Sequence, residues 1–411
     1  MEFKRISEDC GARPTPLRVL LLLSSLHGGG AERVAVQLLD GLDPARFDVR
    51  MGLLRAAGPY LAGADAARIV VAPDGERRFD FDGANAALYR PGKLLGAAFT
   101  APRAFRAMIA EFQPDVVLSF LKGTNLIVWR ALAGLDSAQR PRWIAREGNN
   151  LLAVIDEETP GPLAAQAVGA LTARAYRRAD RVLTLSEGSA GEITGQLRLD
   201  PARVAWIPNP VDLVTVRRLA QEPLANQPPR PFVLTVGRLE HQKGHDLLLR
   251  AFARSGAAAS HDLVILGQGS LASELLALAQ RLAIARQVRF AGFVANPFAW
   301  MAKCDLFVLP SRWEGFGSAL AEAQAAGAPV LATDCDYGPR EIVAHGTSGW
   351  LVPEGDKAAL GAAIARLLGD TALRERLAAG GKASAERYAS PTILERYARL
   401  IEDVAAAKVT S

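Results

Sequence analysis

Two cations stand five residues apart in a glycine-flanked turn, directly after an apolar run that ends at Val236. The segment reads Gly237-Arg238-Leu239-Glu240-His241-Gln242-Lys243-Gly244. Arginine binds phosphate through a planar fork, and lysine acts as a compact point charge. Arg238 and Lys243 could therefore straddle a diphosphate, with solvated surface cations as the ordinary alternative.

Two carboxylates flank a glycine-containing loop farther along, in the segment Pro310–Ser318 and the helix predicted after it. Glu314 lies in the loop, and Glu322 lies about one turn into the helix, for which Ser318 is the expected N-cap. Carboxylates accept hydrogen bonds from hydroxyl groups, and backbone amides at a helix N-terminus donate to phosphate oxygens. The combination favours a ligand that carries both hydroxyls and phosphate, with a buried capping arrangement as the alternative.

Two pairs of residues have the types that bind metal ions. They are Asp334 with Asp336, and His241 with His245. The histidine pair has no evident third ligand. The aspartate pair would compete with cations that already stand ready for phosphates. We therefore expect no metal and no other cofactor.

A glycine run, Gly28-Gly29-Gly30, follows the first predicted strand and precedes a helix. Glycine lets backbone amides approach a ligand closely, and a helix N-terminus favours an anion. The run lacks the G-x-G-x-x-G spacing of a dinucleotide site, so a tight turn explains it about as well. Gly338-Pro339-Arg340-Glu341 is predicted to begin a helix that faces the ligand cleft.

Short apolar runs alternate with helical patterns along the chain, which predicts parallel sheets covered on both faces. The predicted strands are Arg18–Ser24, Phe47–Leu53, Val116–Ser119, Trp143–Arg146, Arg181–Leu185 and Val204–Ile207, then Phe232–Val236, Leu263–Leu266, Val288–Phe290, Leu306–Leu309 and Val330–Ala332. The predicted helices include Ala31–Gly41, Leu88–Phe112 and Leu171–Arg178. The expected division is a tail at 1–16, an N-terminal domain at 17–209, a C-terminal domain at 210–386 and a final helix at 387–411.

Composition restricts the class of protein. Three cysteines lie far apart, and no apolar run approaches the roughly 20 residues of a membrane helix, so we expect a cytoplasmic protein. A net charge of +5 without a recognised motif argues against nucleic acid as a partner. Residues 83–146 hold nine cations against three acids among apolar positions. That stretch predicts either peripheral contact with an anionic membrane or an ordinary amphipathic helix.

Together these segments resemble glycosyltransferase family four, the retaining group with the GT-B fold, in which two doubly wound parallel-sheet domains face each other across a cleft. The resemblance runs from about Arg18 to the last helix. It is carried by Gly237-Arg238-Leu239, Gln242-Lys243-Gly244, Glu314 and Glu322 with seven residues between them, Asn209-Pro210-Val211-Asp212, and Gly28 to Val34. Arg146-Glu147-Gly148-Asn149 and Gly338 to Ile342 are similar to segments of the branch that assembles bacterial surface polysaccharides.

The resemblance implies a role for each motif residue. Arg238 and Lys243 would hold the donor diphosphate in place of a metal, and Glu314 would bind hydroxyls of the donor sugar. Glu322 would accept from the ribose hydroxyls. The other donor-binding residues would be Gly29, Gly30, Gly237, Gly315, Phe316, Gly317 and Ser318. The N-terminal domain would be the acceptor side, and the C-terminal domain would bind the nucleotide sugar. The last helix would return to pack on the N-terminal domain.

The implied reaction moves a hexose or N-acetylhexosamine from a nucleotide sugar, a UDP-sugar in this branch, to a glycan or lipid-linked saccharide. One departure is the segment 119–125, where many relatives have a histidine and this chain has none. A nucleotide-sugar epimerase of the same fold would need clustered acids and histidines, and a dinucleotide oxidoreductase would need the missing glycine fingerprint. A binding-only relative would be expected to lose Arg238, Lys243 or Glu314. The implied location is the cytoplasm or the inner face of the cell membrane.

Overall fold

The computed structural model describes residues 15–27, 29–73, 91–136, 140–224 and 227–407, with the backbone alone for 91–98. Within these ranges the first half of the chain forms a parallel sheet of seven strands in the spatial order β3-β2-β1-β4-β5-β6-β7. The strands are β1 (Leu17–Leu23), β2 (Phe47–Leu53), β3 (Ile69–Val71), β4 (Val116–Phe120), β5 (Arg142–Arg146), β6 (Arg181–Thr184) and β7 (Val204–Trp206).

The second half forms a parallel sheet with six strands in the described residues, in the order β10-β9-β8-β11-β12-β13. The strands are β8 (Phe232–Val236), β9 (Asp262–Leu266), β10 (Val288–Gly292), β11 (Leu306–Leu309), β12 (Val330–Asp334) and β13 (Trp350–Pro353). The strand order reverses between β1 and β4 in one sheet and between β8 and β11 in the other. Ligands of doubly wound folds bind at such switch points, beyond the carboxyl ends of the strands. The turns after β1, β8 and β11 are therefore the expected positions of a site.

Helices cover both faces of each sheet. Those of the first half are α1 (Gly30–Gly41), α2 (Pro91–Phe112), α3 (Lys122–Leu132), α4 (Leu151–Glu158), α5 (Pro162–Tyr176) and α6 (Glu187–Gln196). Those that follow are α7 (Leu213–Ala220), α8 (His245–Ser255), α9 (Ala272–Arg281), α10 (Phe298–Met301), α11 (Ser318–Ala326), α12 (Pro339–Ile342), α13 (Lys357–Gly369), α14 (Thr371–Ala385) and α15 (Ser390–Ala406). In the part of the chain that the structure describes, no helix has the length and hydropathy needed to cross a bilayer.

Strand β1 illustrates why the sheets are buried on both sides. Leu20 and Leu22 pack into one apolar cluster that includes Phe105 of α2. Leu21 points to the other face and packs into a second cluster that includes Leu38 of α1. Each fully buried leucine contributes about 1.5–3 kcal/mol to folding. The continuous apolar run of β1 is therefore explained by two cores, one on each face of the sheet.

The last helix, α15, packs against the first sheet. Its buried side chains Ile393, Tyr397 and Ile401 belong to the same apolar cluster as Leu21. The chain thus crosses between its halves twice, and the two crossings are hydrogen-bonded to each other. The Val211 amide donates to the carbonyl of residue 388 at 2.8 Å, and the amide of residue 390 donates to the Val211 carbonyl at 3.0 Å.

The observed architecture is the two-sheet α/β fold that the sequence predicts, with a few differences in elements. The short strands β3 and β13 were not predicted, since they lie at sheet edges and are only three and four residues long, too short to give a strand pattern. The helix predicted over Leu171–Arg178 begins earlier, at Pro162, because proline suits the first helical turn. The helix predicted from Leu88 begins at Pro91 in the structure, and residue 88 lies outside the described residues.

Candidate active site

The turn after β8 presents the two predicted cations at a switch point. Arg238 is exposed to solvent, whereas only 19% of the Lys243 side-chain surface is exposed. Gly244 ends the turn with φ at 62°, and a Cβ there would lie 2.0 Å from the Pro310 carbonyl oxygen. Only glycine fits so close to the end of β11. The turns that follow β8 and β11 are therefore held side by side.

A buried histidine supports the cationic turn. His245 Nε2 lies 3.1 Å from the Arg238 carbonyl oxygen, and burial lowers the pKa of His245 to about 4. The imidazole is therefore neutral at pH 7, and its Nε2–H donates to that carbonyl. The sequence suggested His245 only as a weak metal candidate. The structure instead gives this histidine a contact that fixes the backbone of Arg238.

Lys243 and Glu314 meet directly in the structure. Lys243 Nζ lies 2.6 Å from Glu314 Oε1, and Ser311 Oγ donates to the same oxygen at 2.7 Å. Glu314 is 5% exposed, so its charge needs these partners. Two residues predicted from separate motifs are thus brought together, and the cation of one motif neutralises the carboxylate of the other.

The loop from Gly315 to Ser318 differs in one respect from the sequence prediction. Gly317 is the N-cap of α11, with φ at 93°, and Ser318 is the first helical residue. The expectation that Ser318 is the N-cap was wrong, because the chain enters the helix in a left-handed conformation that favours glycine. Phe316 is buried and its ring packs edge-on against Tyr388 at 5.0 Å. The Ser318 hydroxyl is left to bind Asn209 Nδ2 at 2.8 Å.

The N-terminus of α1 faces the N-terminus of α11 across the cleft. A Cβ added at Gly30 would lie 3.6 Å from Ser318 Oγ. The Glu32 side chain folds back toward the start of α1, so that its carboxylate lies against Gly29. A Cβ added at Gly29 would be only 2.4 Å from Glu32 Oε2. Burial raises the pKa of Glu32, and its own amide and the Arg238 cation oppose that rise. The Glu32 carboxylate thus lies near the N-termini of α1 and α11, where the helix dipoles favour an anion.

Glu322 forms an ion pair with Arg33, which lies in the first turn of α1. The pair joins the two domains at the cleft. Glu322 is 7% exposed, and burial raises its pKa while Arg33 opposes the rise. The sequence pointed to Glu322 but gave no role to Arg33. The only signal was its position within the Gly28 to Val34 segment.

A fully buried guanidinium connects this site to the last helix. Arg146, at the end of β5, donates to the Tyr397 hydroxyl at 2.8 Å and to Asn209 Oδ1 at 2.6 Å. Asn209 in turn donates to Ser318, so the chain of contacts reaches the N-terminus of α11. Arg146 Nη1 is buried without a hydrogen-bond partner. The sequence contained Arg146 and Asn209 only as parts of motifs, without this connection.

Other contacts also cross the cleft and hold the domains together. Gln242 Nε2 donates to Asn149 Oδ1 at 3.1 Å. Glu341 of α12 accepts from the amides of residues 187 and 188, each at 3.1 Å, and so caps α6 in the other domain. A Cβ at Gly315 would lie 2.6 Å from the carbonyl oxygen of Gly148. The structure therefore has its two domains in close contact.

The metal candidates do not converge in the structure. Asp334 Oδ1 binds Arg340 at 3.0 Å. His241 is exposed and its ring lies 5.7 Å from that of Trp313, whereas His245 is buried below the turn. Among the described residues, no group of three or more His, Cys, Asp or Glu is arranged to hold a metal ion.

Two protein-family models match this chain, one on each half. The model for glycosyl transferase 4-like domains matches residues 29–210, and the model for glycosyl transferases group 1 matches residues 216–384. A relative from Campylobacter jejuni, named N-acetylgalactosamine-N,N'-diacetylbacillosaminyl-diphospho-undecaprenol 4-alpha-N-acetylgalactosaminyltransferase, is 34% identical over 213 residues, which are 52% of this chain and 57% of the relative. A lipopolysaccharide core biosynthesis glycosyltransferase of Rhizobium meliloti, LpsE, is 32% identical over 172 residues, 42% of this chain and 49% of that one. The chain thus spans about half the length of the curated relatives it matches.

Solved structures resemble the whole chain. Anabaena HepE in complex with UDP and glucose has a TM-score of 0.71 at 21% identity, over 94% of this chain and 100% of its own. Sucrose-phosphate synthase from Thermosynechococcus elongatus has a TM-score of 0.75 at 19% identity, over 95% and 100%. The two facing parallel-sheet domains, together with this likeness, show that the chain has the GT-B fold. Since glycosyltransferase models match both halves, the chain belongs to glycosyltransferase family four.

Gly315→Ala is expected to separate the domains, because its methyl group would collide with the Gly148 carbonyl of the other domain. The radius of gyration from small-angle scattering should rise relative to the unmodified protein. Gly169→Ala on α5 is the control, since a Cβ there has nothing within 4 Å. Equal scattering curves for both variants would show that this contact does not limit the approach of the domains.

Proposed function

We propose that this protein transfers a hexose or N-acetylhexosamine from a UDP-sugar to a glycan or lipid-linked saccharide, with retention of configuration, in polysaccharide or glycolipid biosynthesis. The observation that carries the proposal is the meeting, at two facing switch points, of cations, buried carboxylates and two helix N-termini. Lys243, Glu314 and Glu322 are the central members. A nucleotide sugar needs that mixture, because its phosphates require cations and amides while its sugars require hydrogen-bond acceptors.

Departure of the diphosphate is the step that the cations assist. Cleavage of the glycosyl–phosphate bond leaves the electron pair on the diphosphate oxygen. Arg238, Lys243 and the N-terminal amides of α11 would neutralise that charge as it develops. The contacts of Gly244 and His245 hold the cationic turn in place before reaction. Removing one such preorganised group typically lowers kcat by about 100-fold or more.

Retention is best explained by front-face transfer. In this mechanism the acceptor oxygen attacks from the side on which the diphosphate leaves, and a phosphate oxygen takes the acceptor's proton. Glu314 Oε1 already accepts from both Lys243 and Ser311, and these contacts reduce the nucleophilicity of the carboxylate. Its role in the proposal is to accept from hydroxyls of the transferred sugar. Close contact of the domains would exclude water that hydrolyses the donor.

The comparisons support the substrate classes in the proposal. HepE, which shares the fold, was crystallised with UDP and glucose. The printed name of the Campylobacter relative includes a saccharide linked through diphosphate to undecaprenol. A UDP-sugar donor and a lipid-linked acceptor are therefore the pair that we assign to this chain.

The alternative functions find less support. An epimerase needs an acid and a base beside the sugar ring. His245 is buried below the backbone, and His241 lies exposed against Trp313, so neither suits that role. A binding-only relative would be expected to lose Arg238, Lys243 or Glu314, and this chain has all three.

The proposal is tested by incubating the purified protein with a panel of nucleotide sugars. Slow hydrolysis of one UDP-sugar is expected, because water replaces the absent acceptor. Hydrolysis should persist in excess EDTA, since Arg238 and Lys243 neutralise the diphosphate without a metal. Inhibition by EDTA with recovery in magnesium would make Asp334 and Asp336 candidate ligands. Absence of binding and hydrolysis for every nucleotide sugar would refute the proposed function.

Substitution of the two glutamates should separate their roles. Glu314→Gln keeps the size of the side chain but loses its charge beside the transferred sugar, so kcat should fall more than UDP affinity. Glu322→Ala removes the ribose acceptor, so it should raise the donor KM and weaken UDP binding itself. Removing one hydrogen bond to a charged group costs about 1.5–3 kcal/mol, or roughly ten- to a hundredfold in affinity. Calorimetric titration of UDP into both variants is the measurement, and the reverse pattern would overturn the assignment.

We propose peripheral contact with an anionic membrane on the side of the N-terminal domain formed by α2 and α5. The sequence suggested residues 83–146, but Phe105 and Met108 are buried and Arg106 Nε donates to the carbonyl of residue 131 at 3.2 Å. That part of α2 is therefore an ordinary amphipathic helix. Phe99, which is 58% exposed, and Arg103 remain on the surface.

Helix α5 adds a stronger candidate surface. The helix contains no acidic residue, and Leu163 and Leu171 are exposed on it. A shallow cavity of about 660 Å³ beside them is lined by Ala167, Ala170, Leu171, Arg174, Arg177 and Arg178. Apolar side chains among cations without acids are the pattern of interfacial helices. Each basic residue near an anionic surface contributes about 1 kcal/mol, so binding would be reversible and sensitive to salt.

The protein is expected to float with vesicles that contain phosphatidylglycerol at low salt, and to stay behind with neutral vesicles. Arg174→Glu/Arg178→Glu should lose the preference, because the substitutions reverse one charge near the end of α5 and one just after it, both in the lining of the cavity. Arg281→Glu/Arg286→Glu in the other domain makes the same change in net charge at exposed positions and should float normally. Equal flotation of all three proteins, or none with anionic vesicles, would eliminate this surface.

A further inference from the structure

The ion pair between Arg33 and Glu322 joins two helices that belong to different domains. Arg33 lies in the first turn of α1, and Glu322 lies in the second turn of α11. Only 9% of the Glu322 side-chain surface is exposed to solvent, compared with 31% for Arg33. A carboxylate that the donor is proposed to use thus depends on a cation from the opposite side of the cleft.

A buried carboxylate without a cation would tend to be neutral. Burial raises the pKa of Glu322, and Arg33 is the group that opposes the rise. For Arg33, burial acts to lower the pKa, but Glu322 and Tyr60 outweigh it and raise that pKa. Arginine is suited to such a place, because its fork fixes the direction of a carboxylate as well as its charge.

An ionised carboxylate accepts hydrogen bonds at both oxygens, whereas a protonated one must donate at one of them. Ribose presents two neighbouring hydroxyls that both need acceptors. In the structure Arg33 binds Glu322 through Oε1. A carboxylate anchored in this way is ready to receive the ribose without first losing a proton or changing its direction.

We propose that Arg33 is a positioning residue for the donor: by pairing with Glu322 across the cleft, it keeps that carboxylate charged and oriented toward the ribose. The proposal rests on the proposed function, because it takes Glu322 as the ribose acceptor. It also has a consequence for assembly. The nucleoside subsite is complete only when the N-terminal domain faces the C-terminal domain, so binding of the nucleotide favours the closed arrangement.

Few other charged groups act on the pair. Tyr60 interacts electrostatically with both members, and burial raises its pKa from a value that is already well above the range tested, so it stays neutral there. Glu32 in turn acts on Tyr60. From the elements that pack around α11 in the described part of the chain, Arg33 is the charged group that shifts the pKa of Glu322.

The test is calorimetric titration of UDP into Arg33→Met at several pH values between pH 8 and pH 5.5. At each pH the association constant of the variant is divided by that of the unmodified protein, so that the effect of protonating the UDP phosphate cancels. Without Arg33 the pKa of Glu322 rises further, so its carboxylate is ionised at high pH and protonated as the pH falls. The variant's UDP affinity should therefore drop, relative to the unmodified protein, by about threefold or more over this range, since each unit below a pKa lowers the ionised fraction about tenfold. Arg33→Lys restores the charge without the fork and should give a flat ratio.

Two controls separate positioning from general damage. Arg68→Met removes an arginine of similar exposure in the same domain that pairs with Asp40 and Asp65, and it should leave the ratio at one. Adding Glu322→Gln to Arg33→Met should abolish the pH dependence of the affinity ratio. If protonation of Glu32 caused that dependence instead, it would persist in the double variant. A ratio that is lowered equally at every pH would reduce Arg33 to a structural role and overturn the proposal.

Tighter UDP binding by Arg33→Met would mean that Arg33 occupies the ribose position, which would also overturn the proposal. Failure of the proposed function has a different signature, since the unmodified protein would then bind no nucleotide at any pH. Should Arg33→Met unfold, as judged by its thermal transition, the Arg33→Lys and Glu322→Gln proteins carry the test. A pH-dependent loss in the lysine variant equal to that expected for methionine would then contradict the role of charge.

Discussion

The structure depends on the buried guanidinium of Arg146. It binds the last helix through Tyr397 and the interdomain crossing through Asn209, and that asparagine holds Ser318 at the start of α11. A buried cation of this kind is costly unless hydrogen bonds satisfy it, and removal of one partner leaves the charge uncompensated. Its neighbours are therefore fixed to one another. The position of the helix that carries Glu322 is set from the opposite domain.

The cleft is electrically compensated before any ligand enters. Lys243 is paired with Glu314, Arg33 is paired with Glu322, and the carboxylate of Glu32 covers the start of α1. Lys243, Glu314 and Glu322, which are proposed to bind the donor, thus already have partners of opposite charge. A nucleotide sugar would exchange its own phosphates and hydroxyls for some of these contacts. The net gain on binding is a difference between two well-bonded states, which favours selectivity over raw affinity.

Much of the fold could be predicted because the signals were local. Continuous apolar runs marked the central strands, and the motifs at Arg238, Lys243, Glu314 and Glu322 followed strands, as switch-point residues must. What could not be predicted were contacts that depend on how two domains face each other. The sequence holds no spacing that relates Arg33 to Glu322, because they are joined only through the folded cleft. The N-cap at Gly317 was missed for a local reason, since serine is the more frequent cap and only the backbone conformation selects glycine.

The return of α15 to the first sheet affects how the protein is made. Ile393, Tyr397 and Ile401 fill the same core as Leu21 of β1, although the ribosome adds them only after the whole second domain. Until then the first domain exposes the apolar surface that these side chains cover. Domains usually fold in the order in which they are translated, and exposed apolar surface promotes aggregation. The core of the first domain is therefore complete only after α15 has been synthesised, so folding of the first domain is coupled to that of the second.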